Sequence, residues 1–374
     1  MTAFFVLPLG LLAYVLHWNR RGWRVSAIHA SIVWSCIAIA SAEGLSLFHA
    51  VNRAVAIMLW ISVTIATGAL AWRRWRHESR RPELPTFEIT PIIAAIAAIA
   101  VVTAVLAWFC APVAWDALTY HLPRVSHWIQ NGDLRHYPTH IDRQLWISPG
   151  AEYHLLHVEL LNGTDRLVNF LQWAALVGCA MNASLIARLL GAGARGQRYA
   201  ALFAATLSIA AVQASGAQVD LVFSFWLSAS VALLLTVTSD WGNSAFWRDV
   251  LFLGAAVGLT VVAKSTAYIF GAPFVVWAVL SGVRRNPRRL AGMFAVTILC
   301  VVALSAPHSL RNLRTYGHPL HPPDHTSMFN LEVSPRVTAS NVLRQTALNF
   351  GTHFGRLDTA VMVSRERTRC SVLE

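Results

Sequence analysis

Long apolar segments alternate with short polar ones over the first 308 residues of the chain. A helix needs about 20 mostly apolar residues to cross a bilayer, and ten segments approach that length: 1–18, 26–48, 54–72, 88–109, 167–187, 199–217, 221–238, 249–263, 266–282 and 290–308. Transmembrane barrels instead use alternating segments of about ten residues, a pattern that this sequence does not show. Because helices satisfy their own backbone hydrogen bonds in lipid, we predict an all-α, polytopic transmembrane bundle of about ten spans.

The composition excludes a water-soluble globule. Hydrophobic residues make up 56% of the 374 and charged residues only 13%, compared with about 25% in soluble domains. The net charge of +12 does not indicate nucleic-acid binding, because the basic residues lie in short clusters between apolar segments. The five cysteines form no C-x-x-C pair, so neither a disulfide framework nor a thiolate metal site is predicted. Arginines follow segment 1–18 rather than precede it, so we expect a retained span and not a cleaved signal.

Arginine clusters in the short loops predict the orientation of the chain. Basic loops are retained on the cytoplasmic side of a membrane. The ten spans place these arginines on that side: Arg20, Arg21, Arg24, Arg73, Arg74, Arg76, Arg80, Arg81, Arg188, Arg195, Arg198, Arg248, Arg284, Arg285, Arg288 and Arg289. Alternation then puts the N-terminus, the loop 110–166, the regions around Asp220 and Lys264, and the segment after Pro307 on the outer side.

Three regions follow from this topology. Residues 1–86 are predicted to form N-terminal transmembrane spans that end in a polar stretch at 76–85. Residues 87–308 form a transmembrane core that includes the outer loop 110–166. Residues 309–374 form an outer C-terminal segment with little span-forming character. The isolated charges lie mainly in the outer stretches, so function is expected there.

The first half of the outer loop predicts a short helix at the membrane surface. Apolar residues from Leu118 to Ile129 recur at steps of four, three and four, the spacing of one helical face. Pro123 is expected to kink or restart this helix. Trp115 and Trp128 suit the headgroup layer of the bilayer.

The second half of the loop predicts another short helix. Ser148 is a candidate N-cap, Pro149 fits the first helical position, and Asn162-Gly163 is a stop signal. The loop also holds six histidines, for which we weigh a metal site against ordinary interfacial positions. None of them forms H-E-x-x-H or another dense ligand spacing: His121, His127, His136, His140, His154 and His157.

Charged side chains near the outer ends of the spans each admit two interpretations. Asp116 is either a helix cap or a general base or cation ligand. Asp220 lies where a carboxylate costs at least ~2.5 kcal/mol to insert, so it faces either a functional cavity or an ion-pair partner. Lys264, the single lysine among 30 basic residues, either neutralises a phosphate or pairs with Asp220. Arg311 and Arg314 either grip a phosphate or are interfacial.

From about 88 to 323 the chain resembles the GT-C membrane glycosyltransferases. The resemblance is to the bacterial family-39 type, which includes protein mannosyltransferases and lipid A aminoarabinose transferases. Five features carry it: Asp116 opening a large outer loop, RLVNF at 166–170, QVDLVFSFW at 218–226, GLTVVAKSTA at 258–267 and RNLRTYGHPLHP at 311–322. They share one predicted side of the membrane.

The resemblance implies an enzyme that takes a sugar from a polyprenyl-phosphate carrier at the outer membrane face. It implies two catalytic carboxylates, with Asp116 as the base and Asp220 as a second acidic residue. Three cations are expected near the phosphate of the sugar donor: Lys264, Arg311 and Arg314. Five further residues are expected around the acceptor and its loop: Tyr120, His121, Arg124, Glu152 and Tyr316. Two positions depart from the family pattern, since Ala117 follows Asp116 in place of a second acid and Ser148-Pro149 precedes Glu152 in place of a Lys-Pro-Pro form.

The chemistry agrees with the resemblance. A lipid-linked sugar donor keeps its tail in the bilayer while its phosphate meets water, so catalytic groups belong at the ends of spans. Cations stabilise the departing phosphate, and a carboxylate deprotonates the incoming hydroxyl.

The expected partners are membrane lipid, the polyprenyl-phosphate-linked sugar and an acceptor glycan, lipid or protein, with no nucleic acid. A bacterial inner membrane, with the active site facing the periplasm or exterior, is the expected location. No cofactor is identified from the sequence, and whether a divalent cation takes part stays open. Two alternatives remain: a secondary transporter, which also carries charges within spans, and a noncatalytic, truncated membrane protein.

Overall fold

The computed structural model describes residues 1–17, 22–77, 88–322 and 334–350, and this part of the chain is all-helical. The predicted fold class is thereby confirmed. A π-helical turn at Ala117–His121 precedes α5, and a 3-10 turn at Asp165–Leu167 precedes α8. The α-helices are α1 Ala3–Val15, α2 Trp23–Leu47, α3 Arg53–His77, α4 Pro91–Phe109, α5 Leu122–Asn131, α6 Arg143–Trp146, α7 Gly150–Asn162, α8 Asn169–Leu189, α9 Ala194–Thr206, α10 Ser208–Gln213, α11 Asp220–Ser239, α12 Phe246–Ala263, α13 Ala267–Gly282, α14 Pro287–Tyr316 and α15 Pro335–Phe350.

Seven helices of the described part are long and apolar enough to cross a membrane, so the chain is an integral membrane protein. They are α2, α3, α4, α8 with its preceding turn, α11, α12 and α14. Helices α1 and α13 are apolar but shorter. The predicted span 199–217 is interrupted, because α9 ends at Thr206 and Leu207 leaves the helical conformation before α10 begins. The count of about ten spans stays a prediction.

Helices α11 and α12 form the centre of the bundle. Of their most apolar windows, 61% and 67% of the residues are buried, compared with 11% in α4 and α14, which turn their apolar sides outward. Helices α12 and α14 approach closely at Gly258, where an added Cβ would lie 2.7 Å from a Leu304 methyl carbon and 3.1 Å from the Cys300 carbonyl oxygen. Small residues permit such close helix contacts in membranes.

One end of the bundle, here called the loop end, gathers the 110–166 loop, the C-terminal ends of α2, α4, α12 and α14, and the N-terminal ends of α8 and α11. Four hydrogen bonds tie these parts together: Leu134 N to Ser46 Oγ (2.9 Å), Asn169 Nδ2 to the Cys110 carbonyl (2.9 Å), Leu221 N to Gln172 Oε1 (3.1 Å) and Asn312 Nδ2 to the Trp146 carbonyl (3.0 Å). The regions predicted to share the outer side therefore meet at one end of the molecule.

The opposite end, here called the arginine end, holds Arg24, Arg188 and Arg198. Arg24 donates through its two terminal nitrogens to Ser184 Oγ on α8 and Gln197 Oε1 on α9, each at 2.9 Å. These arginines lie together as the loop pattern predicts, and their membrane side stays a prediction. The predicted anchors Arg20, Arg21, Arg80 and Arg81 lie outside the described residues, and so does most of the predicted boundary stretch 76–85.

Helix α7 is buried almost throughout and joins the N-terminal helices to the core. Its first residue, Gly150, lies so close to α12 that an added Cβ would meet the Ala263 backbone at 2.7 Å. Further along α7, His154 Nε2 bonds Ser35 Oγ on α2 at 2.8 Å, and Trp60 on α3 donates to His157 Nδ1 at 3.1 Å. The helix thus contacts the bundle from α12 to α3.

The predicted end of the second loop helix is confirmed, its start lies one residue later than predicted, at Gly150, and its predicted cap is wrong. Helix α7 ends at Asn162, and Gly163 follows in the left-handed region at φ 77°, a conformation that favours glycine. Ser148 makes no capping hydrogen bond; its hydroxyl lies 3.2 Å from the Ser265 hydroxyl instead. The Ser148 side chain therefore connects the start of α7 to the turn between α12 and α13.

The first loop helix restarts at Leu122, with Pro123 in its first turn, as predicted. The expectation that Trp128 lies in the headgroup layer is wrong, because its ring is 4% exposed and stacks against Tyr153. Trp115 remains exposed, with 76% of its surface accessible. Helix α5 therefore buries Trp128 and packs on α7, instead of lying along the membrane surface.

Candidate functional site

Asp220 and Lys264 form an ion pair at the loop end. Asp220 is the first residue of α11, and Lys264 follows the last residue of α12. The Lys264 ammonium donates to Asp220 Oδ1, and Gln213 Nε2 donates to Asp220 Oδ2 at 3.0 Å. The two side chains are 36% and 40% exposed. A pair this accessible contributes little to stability, so its charges are available to a ligand.

Asp116 stands beside this region, just before the π-helical turn. It makes no capping hydrogen bond, so the cap interpretation finds no support in the geometry. Its carboxylate lies near the Tyr120 hydroxyl, one turn later, and contributes to raising the pKa of that phenol. π-Helical turns are rare and frequently mark functional sites. Here the turn separates α4 from α5 and leaves Asp116 half-buried at the loop end.

Tyr120 lies within electrostatic range of three carboxylates. Burial raises the pKa of its phenol, and the charges of Asp116, Glu152 and Asp220 raise it further. The phenol therefore stays protonated and can donate a hydrogen bond. The Arg143 guanidinium lies 5.4 Å from the centre of the Tyr120 ring, in the range of a cation–π contact. Tyr120 thus lies near both Asp116 and the Asp220–Lys264 pair.

Behind Tyr120, three charged or polar side chains form a buried cluster. Glu152 Oε1 lies 2.9 Å from His121 Nδ1 and 3.0 Å from Arg124 Nη1, and the three residues are at most 1% exposed. Burial opposes ionisation of Glu152, but Arg124 and His121 outweigh it and hold the pKa of that carboxyl below its usual value. Arg124 also donates to the backbone carbonyls of Arg143 and Gln144. The cluster fixes the path of the loop from α5 to α7.

Two atoms of this cluster have no hydrogen-bond partner among the described residues: His121 Nε2 and Glu152 Oε2. Both belong to fully buried side chains, and an unpaired buried polar atom is costly. The predicted acceptor role of His121, Arg124 and Glu152 stays a prediction. What the contacts establish is a positioning role, since these residues hold the turn that carries Tyr120.

Arg311 belongs to a second cluster of the loop end. Its guanidinium forms a bidentate pair with Glu43 of α2, at 2.7 and 2.8 Å, and lies 3.3 Å from the Tyr153 hydroxyl. Burial and the Glu43 charge raise the pKa of Tyr153, whose hydroxyl also donates to Glu43. Arg311 thus connects α14 to α2 and α7. Its two terminal nitrogens are committed to a carboxylate, so binding a phosphate would require this pair to open.

The remaining predicted residues lie further along α14. Arg314 is exposed, and no polar partner for it is found in the described part of the chain. Tyr316 places its ring 5.9 Å from that of His136, and His136 Nδ1 lies 2.7 Å from the Thr315 hydroxyl. Burial and the Arg311 and Arg124 charges lower the pKa of His136 to about 4. His136 is therefore neutral at physiological pH.

An apolar cavity of about 390 Å³ opens between α11, α12, α13 and α14. Its walls include Leu227, Val257 and Phe274, and its few polar atoms include the hydroxyls of Ser230 and Thr260, which lie 3.2 Å apart. Thr260 precedes Lys264 by one helical turn, and the Lys264 backbone N–H bonds the Thr260 carbonyl. The cavity thus begins directly below the ion pair and continues into the bundle.

A second, much smaller cavity of about 20 Å³ lies between the loop and α14. It shares Val261 and Tyr268 with the apolar cavity and is also lined by Ser148, His308 and Asn312. A cavity of this size holds about one water molecule. The polar side chains of the small cavity therefore adjoin the apolar cavity on the side of the 110–166 loop.

The histidines of the loop do not converge. No group of three His, Cys, Asp or Glu side chains that could hold a metal ion occurs among the residues placed in the structure. His154 and His157 both bond α2: His154 Nε2 lies 2.8 Å from the Ser35 hydroxyl, and His157 Nε2 lies 2.9 Å from the Ala38 carbonyl oxygen. A divalent cation at the site stays a prediction.

The sequence interpretation missed several residues that build the site. Glu43 is the one acidic residue inside the predicted span 26–48, and that isolation is the signal by which it could have been found. Gln213, Arg143 and Tyr153 carry no comparable signal, because neither residue type nor spacing sets them apart from other polar residues of the chain.

No protein-family model, no curated protein and no solved structure matches this chain.

Proposed function

We propose that the chain is a glycosyltransferase that moves a sugar from a polyprenyl-phosphate donor to an acceptor hydroxyl. The proposed location is a bacterial inner membrane, with the loop end facing the periplasm or exterior. One observation carries this proposal: Asp220 holds Lys264 one turn above an apolar cavity, at the same end of the bundle as Asp116 and Tyr120. The resemblance of the motifs around these residues to GT-C glycosyltransferases supports it.

The proposed binding mode follows from the polarity of the site. The polyprenyl tail enters the cavity between α11 and α14, whose walls are apolar. The phosphate then lies at the half-exposed Lys264, a compact charge suited to a phosphate. Asp220 orients this ammonium at the mouth of the cavity. Arg314 is exposed and free to approach the phosphate, while Arg311 contributes only after leaving Glu43.

The proposed reaction is a single displacement at the anomeric carbon. The acceptor oxygen forms a bond to that carbon as the bond from the carbon to the phosphate oxygen breaks. Asp116 takes the proton of the acceptor hydroxyl, and polyprenyl phosphate leaves with the bonding electron pair, its charge stabilised by Lys264. Tyr120 remains protonated and can donate a hydrogen bond to Asp116. Attack opposite the leaving group inverts the configuration at the sugar carbon.

The test is transfer from a labelled polyprenyl-phosphate sugar in proteoliposomes that contain the purified chain, with mixed glycan, lipid and peptide acceptors. The Asp116→Asn variant is expected to lose about 10²- to 10⁴-fold in rate, the usual contribution of a general base. Asp165→Asn is the matched control, because Asp165 is an exposed acid of the same loop. The control is expected to retain full activity.

Full activity of Asp116→Asn would reject the assigned base. Absence of transfer by the unaltered protein from any polyprenyl-phosphate sugar, together with solute uptake into the same proteoliposomes without a sugar donor, would favour the transporter.

A further inference from the structure

Another large cavity lies at the arginine end, away from the candidate site. It measures about 440 Å³ and runs between α4, α8 and α9 beside the start of α2. Its walls are apolar and partly formed by small residues, among them Ile96, Ala97, Val177 and Ala201. Ala180, Ala201 and Ala205 pack with Ile96 and Ile99 in a cluster separate from the main core. The small side chains leave space along the inner wall of the groove.

The rim of this groove carries an excess of positive charge. Arg24 and Arg198 line it together with Glu88. Glu88 pairs with Arg198 at 2.5 Å, whereas Arg24 donates to two neutral oxygens, Ser184 Oγ and Gln197 Oε1. Arg188 lies close enough to Arg24 for the two cations to repel each other. An anion at Arg24 would relieve this repulsion.

The groove is deep enough to cover most of one leaflet of a membrane. Its lining on α4 extends from Ile93 to Ala100, and on α8 from Ser184 to Leu176. At 1.5 Å per residue, the seven steps on α4 cover about 10 Å and the eight steps on α8 cover about 12 Å. Half of a hydrocarbon core of about 30 Å is about 15 Å. The apolar wall therefore runs from the charged rim over most of the depth of one leaflet.

We propose that this groove binds an anionic phospholipid. The phosphate lies at Arg24, and one acyl chain lies along Ala97 and Val177 between α4, α8 and α9. A free anion would contact only the charged rim and leave the apolar wall empty. A phospholipid contacts the rim through its phosphate and the apolar wall through an acyl chain. The groove is at the end of the bundle opposite Lys264, so this inference does not rest on the proposed glycosyltransferase function.

The experiment measures lipid binding to the delipidated, full-length protein in detergent, by native mass spectrometry and by the shift in unfolding temperature. The probes are phosphatidylglycerol and phosphatidylcholine with the same acyl chains, and inorganic phosphate alone. Phosphatidylglycerol is expected to bind about tenfold more tightly than phosphatidylcholine, the fold-change of one charge-assisted hydrogen bond. Inorganic phosphate is expected to give no shift at equal concentration.

Three variants test the charged rim and the apolar wall of the groove independently. Arg24→Gln should abolish the preference for phosphatidylglycerol, and Arg285→Gln, which changes an exposed arginine of the same end, should retain it. Ala97→Phe keeps every charge but fills the apolar wall, so it should weaken binding of both lipids. This third variant changes an exposed position and tests the groove even if Arg24→Gln fails to fold.

Equal affinity for the two lipids would overturn the proposal, and so would an equal loss in Arg285→Gln. Stabilisation by inorganic phosphate that matches phosphatidylglycerol would also overturn it, because it would indicate a free-anion site. Unchanged lipid binding in Ala97→Phe would exclude the groove as the position of the acyl chain.

Discussion

The charge of Glu152 is expected to stabilise the folded loop rather than to take part in chemistry. Glu152 is fully buried and its ionised form is paired with Arg124 and His121. The Glu152→Gln variant keeps the size of the side chain and one acceptor oxygen but removes the charge. It leaves the Arg124 guanidinium buried without a carboxylate, with the new amide oxygen and the carbonyls of Gln144 and Arg143 as its acceptors.

The expected magnitude follows from that arrangement. Breaking a buried ion pair by removing one partner costs about 3–5 kcal/mol. Removing both charges, in Arg124→Met with Glu152→Gln, avoids the unpaired cation but leaves two backbone carbonyls without their donor, at about 1 kcal/mol each. The double variant should therefore be more stable than Glu152→Gln alone. The coupling energy of the pair is the stability change of the double variant minus the sum of the changes of the two single variants.

The assay is equilibrium unfolding in detergent, followed by tryptophan fluorescence, for the parent, the two single variants and the double variant. Glu88→Gln is the matched control, because Glu88 pairs with Arg198 while 76% exposed. An exposed pair contributes about 0–1 kcal/mol. Transfer activity per folded molecule is measured beside each unfolding curve.

Two results would refute this reasoning. A Glu152→Gln variant as stable as Glu88→Gln would mean that Glu152 and Arg124 are not paired in the folded protein. A double variant that regains stability over Glu152→Gln but shows no activity, while folded, would assign Glu152 to the acceptor as the sequence predicts.

Three further outcomes are expected. Lys264→Met should raise the KM for the sugar donor at least tenfold, about the effect of one charge-assisted hydrogen bond, and Lys264→Arg should restore part of it. Gly150→Ala should lose about 1–3 kcal/mol of stability in denaturant unfolding, because its Cβ meets backbone atoms at 2.7 Å, whereas Gly44→Ala, with no atom within 4 Å, should lose none. Burial lowers the pKa of His154 and His157 from 6.5 to about 4, so the unfolded chain binds protons that the folded chain does not. The unfolding temperature should fall as pH decreases below about 6.5, and a flat profile down to about pH 5 would contradict this.

The transmembrane helices could be predicted because apolar length is a local property. The interruption at Leu207 could not, since 199–217 is apolar on both sides of it and no proline or charge marks it. The burial of helix α7 could not be predicted either, because its sequence is too polar to indicate a buried helix. Its sequence contains two histidines and two glutamates, which suit a membrane surface, yet the helix is buried because hydrogen bonds and ion pairs from α2, α3 and α5 satisfy most of these groups.

The candidate site could be predicted in part, because an isolated charge beside an apolar segment is also a local feature of the sequence. Asp220 and Lys264 are isolated charges beside apolar runs, so each one stands out, and pairing was one of the two alternatives for them. The partner of Arg311 could not be inferred, because Glu43 is 268 residues away in the sequence. Long-range pairing depends on how the helices pack, and a single sequence carries no measure of that packing.

The scarcity of lysine gives this protein an intrinsic chemical handle. Apart from the α-amino group at the N-terminus, Lys264 carries the single primary amine of the chain, and its side chain is 40% exposed. Acylating reagents specific for amines would therefore modify the ion pair with Asp220 without any engineered residue, and their rate of reaction would report how often that pair opens. A protease specific for lysine would likewise have one cleavage position, and protection from it would measure occupancy of the loop end.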